Sequence, residues 1–89
     1  MSVHEVRFTR AARRALTEEL PEAVAAAAFE FIVGPLAAAP RRVGKQLREP
    51  LWPLYSARRG AYRVIYGIVD EQIVIEIVAI THRRDAYRT

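Results

Sequence analysis

Apolar and polar positions alternate loosely from Val3 to Phe8 (Val-His-Glu-Val-Arg-Phe), which predicts a short strand. Thr9 is then placed to cap a helix reaching about Leu16 to Glu18, with Ala12, Ala15 and Leu16 on one side. Pro21 suits a first helical position, and Glu22 favours the positive helix start. Val24, Ala27, Ala28, Phe31 and Ile32 follow the i, i+3, i+4, i+7, i+8 spacing of a buried helical stripe, which Gly34-Pro35 should end or bend. Two helices joined by so few residues should form an antiparallel hairpin.

Residues 40–50 are basic, bounded by prolines and aperiodic, and read as an ordered surface loop. Three antiparallel strands should follow near 51–57, 62–69 and 72–80, with turns at Arg59-Gly60 and Asp70-Glu71. The pattern therefore predicts one α+β domain spanning 1–89: a strand, a helical hairpin and a three-stranded meander, with the helices on one sheet face.

Even-length hairpin loops set Val69 opposite Gln72, and Arg63 opposite both Val78 and Ser56. One face then holds Tyr55, Tyr62, Val64, Tyr66, Ile68, Ile73, Ile75, Ile77 and Ala79 and must lie under the helices. The other holds Trp52, Leu54, Ser56, Arg63, Ile65, Gly67, Val74, Glu76, Val78, Ile80 and His82 and should stay open. On this register Arg63 and His82 share the open face. Ile65, Val74, Val78 and Ile80 form an apolar patch there that calls for a protein partner.

Composition narrows the chemistry. With 52% hydrophobic and 27% charged residues the chain is neither a disordered tail nor a membrane protein. The longest stretch without charge, Phe31 to Pro40, holds ten residues and is far short of a membrane span. No secretory signal is visible, and the absence of cysteine fits a cytoplasmic location. Two histidines and no cysteine give no zinc motif, so neither metal nor cofactor is expected; Gly44-Lys45-Gln46 lacks the other P-loop residues.

Charge is unevenly placed. Residues 1–40 carry four basic and five acidic side chains, whereas residues 41–89 carry ten and five. Nearly all the basic residues are arginine, whose planar fork suits phosphate oxygens, so a polyanionic partner is expected. Arg41, Arg42, Lys45, Arg48, Arg58, Arg59, Arg84 and Arg88 are the candidate RNA contacts. Attack of an RNA 2′-hydroxyl on its own phosphodiester needs positioning, proton transfer and charge stabilisation at phosphorus. Arg63 suits the last of these, with His82 and Tyr87 orienting the nucleotide or relaying protons.

Four segments together resemble the RelE/ParE superfamily of bacterial toxin–antitoxin toxins, on its RelE side. They are Gly34-Pro35-Leu36; Arg42-Val43-Gly44-Lys45-Gln46-Leu47-Arg48; the stretch Tyr55 to Tyr66, with its Gly60-Ala61-Tyr62-Arg63-Val64-Ile65-Tyr66 core; and His82-Arg83-Arg84-Asp85-Ala86-Tyr87-Arg88. The resemblance implies a ribosome-dependent endoribonuclease that cuts mRNA in the A site. Arg63 falls at the scissile phosphate, Arg83 or Arg84 and Tyr87 on the C-terminal arginine and tyrosine, and His82 on a histidine some members use. It further implies a cognate antitoxin in a hetero-oligomeric complex. Two lysines of the best-known RelE members are replaced here by Leu54 and Ser56, with Lys45, Arg48 and Arg58 as the nearby substitutes. The alternatives on the same scaffold are a ParE-like inhibitor of DNA gyrase and a degenerate toxin that only binds its antitoxin.

Overall fold

In the computed structural model, which describes residues 3–82, five strands form one sheet in the order β1-β5-β4-β3-β2. The strands are β1 (Glu5–Phe8), β2 (Lys45–Gln46), β3 (Tyr55–Arg59), β4 (Tyr62–Val69) and β5 (Val74–His82). The first strand lies parallel to β5; the other neighbours are antiparallel. The helices are α1 (Arg10–Arg14), α2 (Glu22–Phe31) and the short α3 (Pro40–Val43).

Local chemistry sets the helix boundaries. The Thr9 hydroxyl accepts the Ala12 amide at 3.2 Å and so caps α1, while donating to the Val78 carbonyl on β5 at 2.8 Å. The end of α1 widens into a π turn over Ala15–Glu19, and Pro21 precedes α2. Gly34-Pro35 bends the chain after α2 without stopping it: a second π turn, Ile32–Leu36, accommodates the missing proline amide. Ala12, Ala15, Ala28, Phe31, Ile32 and Leu36 pack against Tyr62, Val64, Tyr66, Ile75 and Ile77. Burying each of the larger aliphatic side chains stabilises the fold by roughly 1.5–3 kcal/mol. The helices cover one face only.

The hairpin between β3 and β4 closes through Gly60-Ala61, one residue later than expected, with Gly60 left-handed at φ 58°. The β4–β5 connection has four residues, Asp70 to Ile73, so Val69 pairs with Val74 instead of Gln72. Both loops are even in length, and the expected parity holds next to each turn. Ile73, expected on the helix side, sits in the loop at φ 53° and is exposed.

Parity fails further along β5. Tyr66 pairs with Ile77 but Ile65 pairs with Ala79, so Val78 is the extra residue of a β-bulge. Beyond it every side chain changes face. Ala79 moves to the open side beside Ile65, and Arg63 meets Thr81 instead of Val78. Ile80 turns inward opposite Val64 and is 6% exposed, and His82 aligns with Tyr62 on the helix-covered side. Trp52 and Leu54 lie in the loop before β3, not in a strand, and Trp52 is exposed.

Candidate functional site

The open face collects Arg58, Arg63 and Lys45. Arg58 on β3 is the direct cross-strand partner of Arg63 on β4, so their side chains rise from the same face about 5 Å apart at Cβ. Lys45 is the partner of Ser56, which pairs in turn with Ile65, and this puts the lysine on that face too. All three cations are exposed. Among the described residues none forms a salt bridge; the ion pairs present are Arg7–Glu5, Arg14–Glu18 and Arg41–Asp70. Glu76 stands opposite Gly67, four residues along β4 from Arg63, or roughly 13 Å. The glutamate therefore does not neutralise the arginine.

Lys45 owes its place to the residue before it. A Cβ on Gly44 would overlap the hydroxyl of Tyr66, which is buried and donates to the Pro40 carbonyl at 2.6 Å. Glycine lets the chain leaving α3 pass flush against β4 and enter β2 with Lys45 facing out. Burial pushes the Tyr66 phenol up to about 12, with Tyr55 adding to the shift. Tyr62, whose hydroxyl donates to the Ala27 carbonyl at 3.3 Å, is raised for the same chief reason. These two phenols serve packing, not proton transfer.

The remaining candidates are dispersed. Arg59 points to the helix side, where its guanidinium lies 4.6 Å from the centroid of the Phe31 ring. Arg41 donates to Asp70 at 2.6 Å, holding that carboxyl below the usual range, at the far end of β4 from Arg63. Arg42 and Arg48 are exposed around α3 and the loop after β2. His82 is separated from Arg63 by the sheet itself, so the expected pairing of guanidinium and imidazole is not made. Val74 (2% exposed) and Ile80 (6%) are buried and cannot belong to an apolar docking patch; Ile65 and Val78 are half-buried. Arg83, Arg84, Tyr87 and Arg88 lie outside the described residues.

The sequence reading missed Thr81, now beside Arg63, and the register that draws Lys45 to the face. A two-residue strand inside a polar stretch leaves no periodic signal, and nothing in the sequence announces the contact of Gly44 with Tyr66. Among the described residues no group of three histidine, aspartate or glutamate side chains comes together to hold a metal, and no helix is long and apolar enough to cross a membrane.

Residues 6–87 match the family described as ParE toxin of the type II toxin–antitoxin system parDE. Toxin RelG of Mycobacterium tuberculosis is 48% identical over 85 residues, covering 96% of this chain and 97% of the relative. Toxin RelE of the same organism is also 48% identical, covering 96% and 87%. A crystal structure of a RelBE toxin–antitoxin complex from that bacterium superposes with a TM-score of 0.89 at 47% identity, covering 93% of this chain and 94% of that one. The isolated Escherichia coli RelE toxin, at 18% identity and a TM-score of 0.71, covers 89% and 83% and shares the fold.

Proposed function

This chain belongs to the RelE/ParE superfamily of type II toxin–antitoxin toxins, within its RelE family, and from that premise we propose that it is a ribosome-dependent endoribonuclease cutting mRNA in the A site. The observation that carries the reading is the pair Arg58–Arg63, two guanidiniums side by side on an uncovered sheet face with no carboxylate answering them among the described residues. Such a pair suits the extra negative charge that phosphorus gathers when a 2′-oxygen attacks it. Thr81 offers a hydroxyl beside Arg63, and Lys45 extends the positive field along the face.

The reading assigns the phosphate to Arg58 and Arg63 and gives His82 no role on their face, since its register partner is Tyr62 on the helix side. The roles of Arg83 or Arg84 and of Tyr87 remain as the family resemblance implies them. The partner that restrains the activity is a cognate antitoxin, as in the RelBE complexes that share the fold, and the setting is the bacterial cytoplasm. With Val74 and Ile80 buried, the antitoxin meets the open face through its basic residues more than through an apolar patch.

In a reconstituted translation system the protein should produce mRNA ends within the A-site codon. Arg63→Ala should lower the single-turnover rate by about 10²–10³-fold. Uncut mRNA with normal peptide synthesis overturns the reading. The match to ParE toxins keeps gyrase inhibition as the rival; loss of supercoiling activity without mRNA cuts would establish it instead.

A further inference from the structure

The loop from β2 to β3, residues 47–54, is closed by its own backbone. The Leu47 amide donates to the Leu54 carbonyl at 2.8 Å and the Leu54 amide to the Leu51 carbonyl at 3.0 Å. The Leu51 and Trp52 amides both donate to the Arg48 carbonyl, at 3.0 and 3.1 Å. The Gln46 side-chain amide donates to the Pro53 carbonyl at 3.3 Å and ties the loop to β2. A loop this well bonded could turn its apolar side chains inward, and Leu47 and Leu54 are half-buried. Trp52 and Leu51 do the opposite and are 57% and 51% exposed. An indole held out to water on an ordered loop is a surface waiting for a partner.

The sheet register says which partner. Arg58 and Ser56 alternate onto the open face of β3, and Lys45 flanks Ser56 there. Leu54 continues that line: its Cδ2 would lie 3.4 Å from a Cβ on Gly67, which shares the face of Arg63 on β4. From Arg58 the line thus runs about 13 Å along the sheet to Leu54 and on to Trp52. Within the loop the exposed Arg48 and Glu49 offset one another, so the pull on a polyanion comes from Lys45, Arg58 and Arg63. A single strand gripped by the two arginines and drawn past Lys45 arrives at the indole. Every nucleobase offers a flat face to stack on an aromatic ring, whatever the sequence.

Resting on the nuclease reading above, we propose that Trp52 stacks on an unpaired base of the mRNA, beyond the phosphate held by Arg58 and Arg63. The contact anchors the strand and tolerates any base. It contributes to binding and takes no part in the bond-breaking step.

A double-mutant cycle tests this in single-turnover cleavage of ribosome-bound mRNA, titrated with toxin. Trp52→Ala should raise the half-saturating toxin concentration by about 5- to 100-fold, and Trp52→Phe should recover most of that loss. The maximal rate should stay within about twofold, as expected for an interaction made equally before and during the reaction. One abasic position in the mRNA should reproduce the loss, and on that mRNA Trp52→Ala should add nothing. Losses that add at every abasic position would move the contact to the ribosome and overturn the proposal. So would a Trp52→Ala protein that cuts normally but binds its antitoxin poorly. Both results leave the nuclease reading intact. If the unaltered protein cuts no mRNA, that reading falls, and emission from Trp52, the chain's single tryptophan, decides the stacking. Quenching by a single-stranded oligoribonucleotide but not by an abasic strand of equal length upholds it; the same emission with both overturns it. Melting temperature serves as the folding control, since the indole is exposed.

Discussion

Tyr66 shows how one side chain joins stability to the site. Its ring is fully buried, stacked on Tyr55 with centroids 5.6 Å apart, and its hydroxyl donates to the Pro40 carbonyl at 2.6 Å. Its phenol, raised by burial from 10.0 to about 12, contributes stability that is complete below pH 10 and is lost as pH climbs toward 12. The sign follows from the unfolded chain, whose tyrosine ionises first and draws the equilibrium toward it. Tyr66→Phe should cost about 1 kcal/mol at neutral pH, where the Pro40 carbonyl loses its donor. It should also flatten the fall in stability between pH 10 and 12. Urea titrations of both proteins across that range measure both effects.

At the scale of elements, β2 and the bulge in β5 decide which groups meet. Gly44→Ala forces a methyl group into the Tyr66 hydroxyl and to 3.0 Å from the Ser56 carbonyl. Displacing β2 should cost about 1–3 kcal/mol, read by urea unfolding, and should slow cleavage further by carrying Lys45 away. The capped start of α1, the proline before α2 and the glycine turn of the β3–β4 hairpin were all legible in the sequence, because each rests on a residue with a distinctive backbone preference. The bulge was not. Ile77, Val78, Ala79 and Ile80 are all apolar, so slipping one residue leaves an equally hydrophobic pattern, and period-two reasoning has nothing to catch on. One inserted residue was enough to move Ile80 into the core and to take His82 from the face of Arg63.

For the molecule as a whole, the charge asymmetry read from the sequence gains a location. Of the described basic residues in the second part, Arg41 is engaged by Asp70 and Arg59 by Phe31, Arg42 and Arg48 are exposed around α3 and the loop after β2, and Lys45, Arg58 and Arg63 gather over one region of sheet. Glu5, Arg7 and Glu76 occupy the same face toward β1, so the face is polarised from one edge to the other. The fold was legible because its elements are local and strongly patterned. The site was legible in composition but not in detail, since face and register are settled by contacts distant in sequence.

The juxtaposition of Arg58 and Arg63 has a cost that the protein bears whenever its target is absent. Two like charges seated opposite one another repel, and a ladder pair of this kind weakens a sheet by about 0.2–1 kcal/mol. The unliganded toxin is thus held below the robustness its scaffold allows, a latent tension that an arriving polyanion dissipates. Arg58→Thr should therefore raise the thermal unfolding midpoint by up to about 5 °C in calorimetry while blunting toxicity. Selection for harmlessness, on this view, would drift toward a sturdier protein.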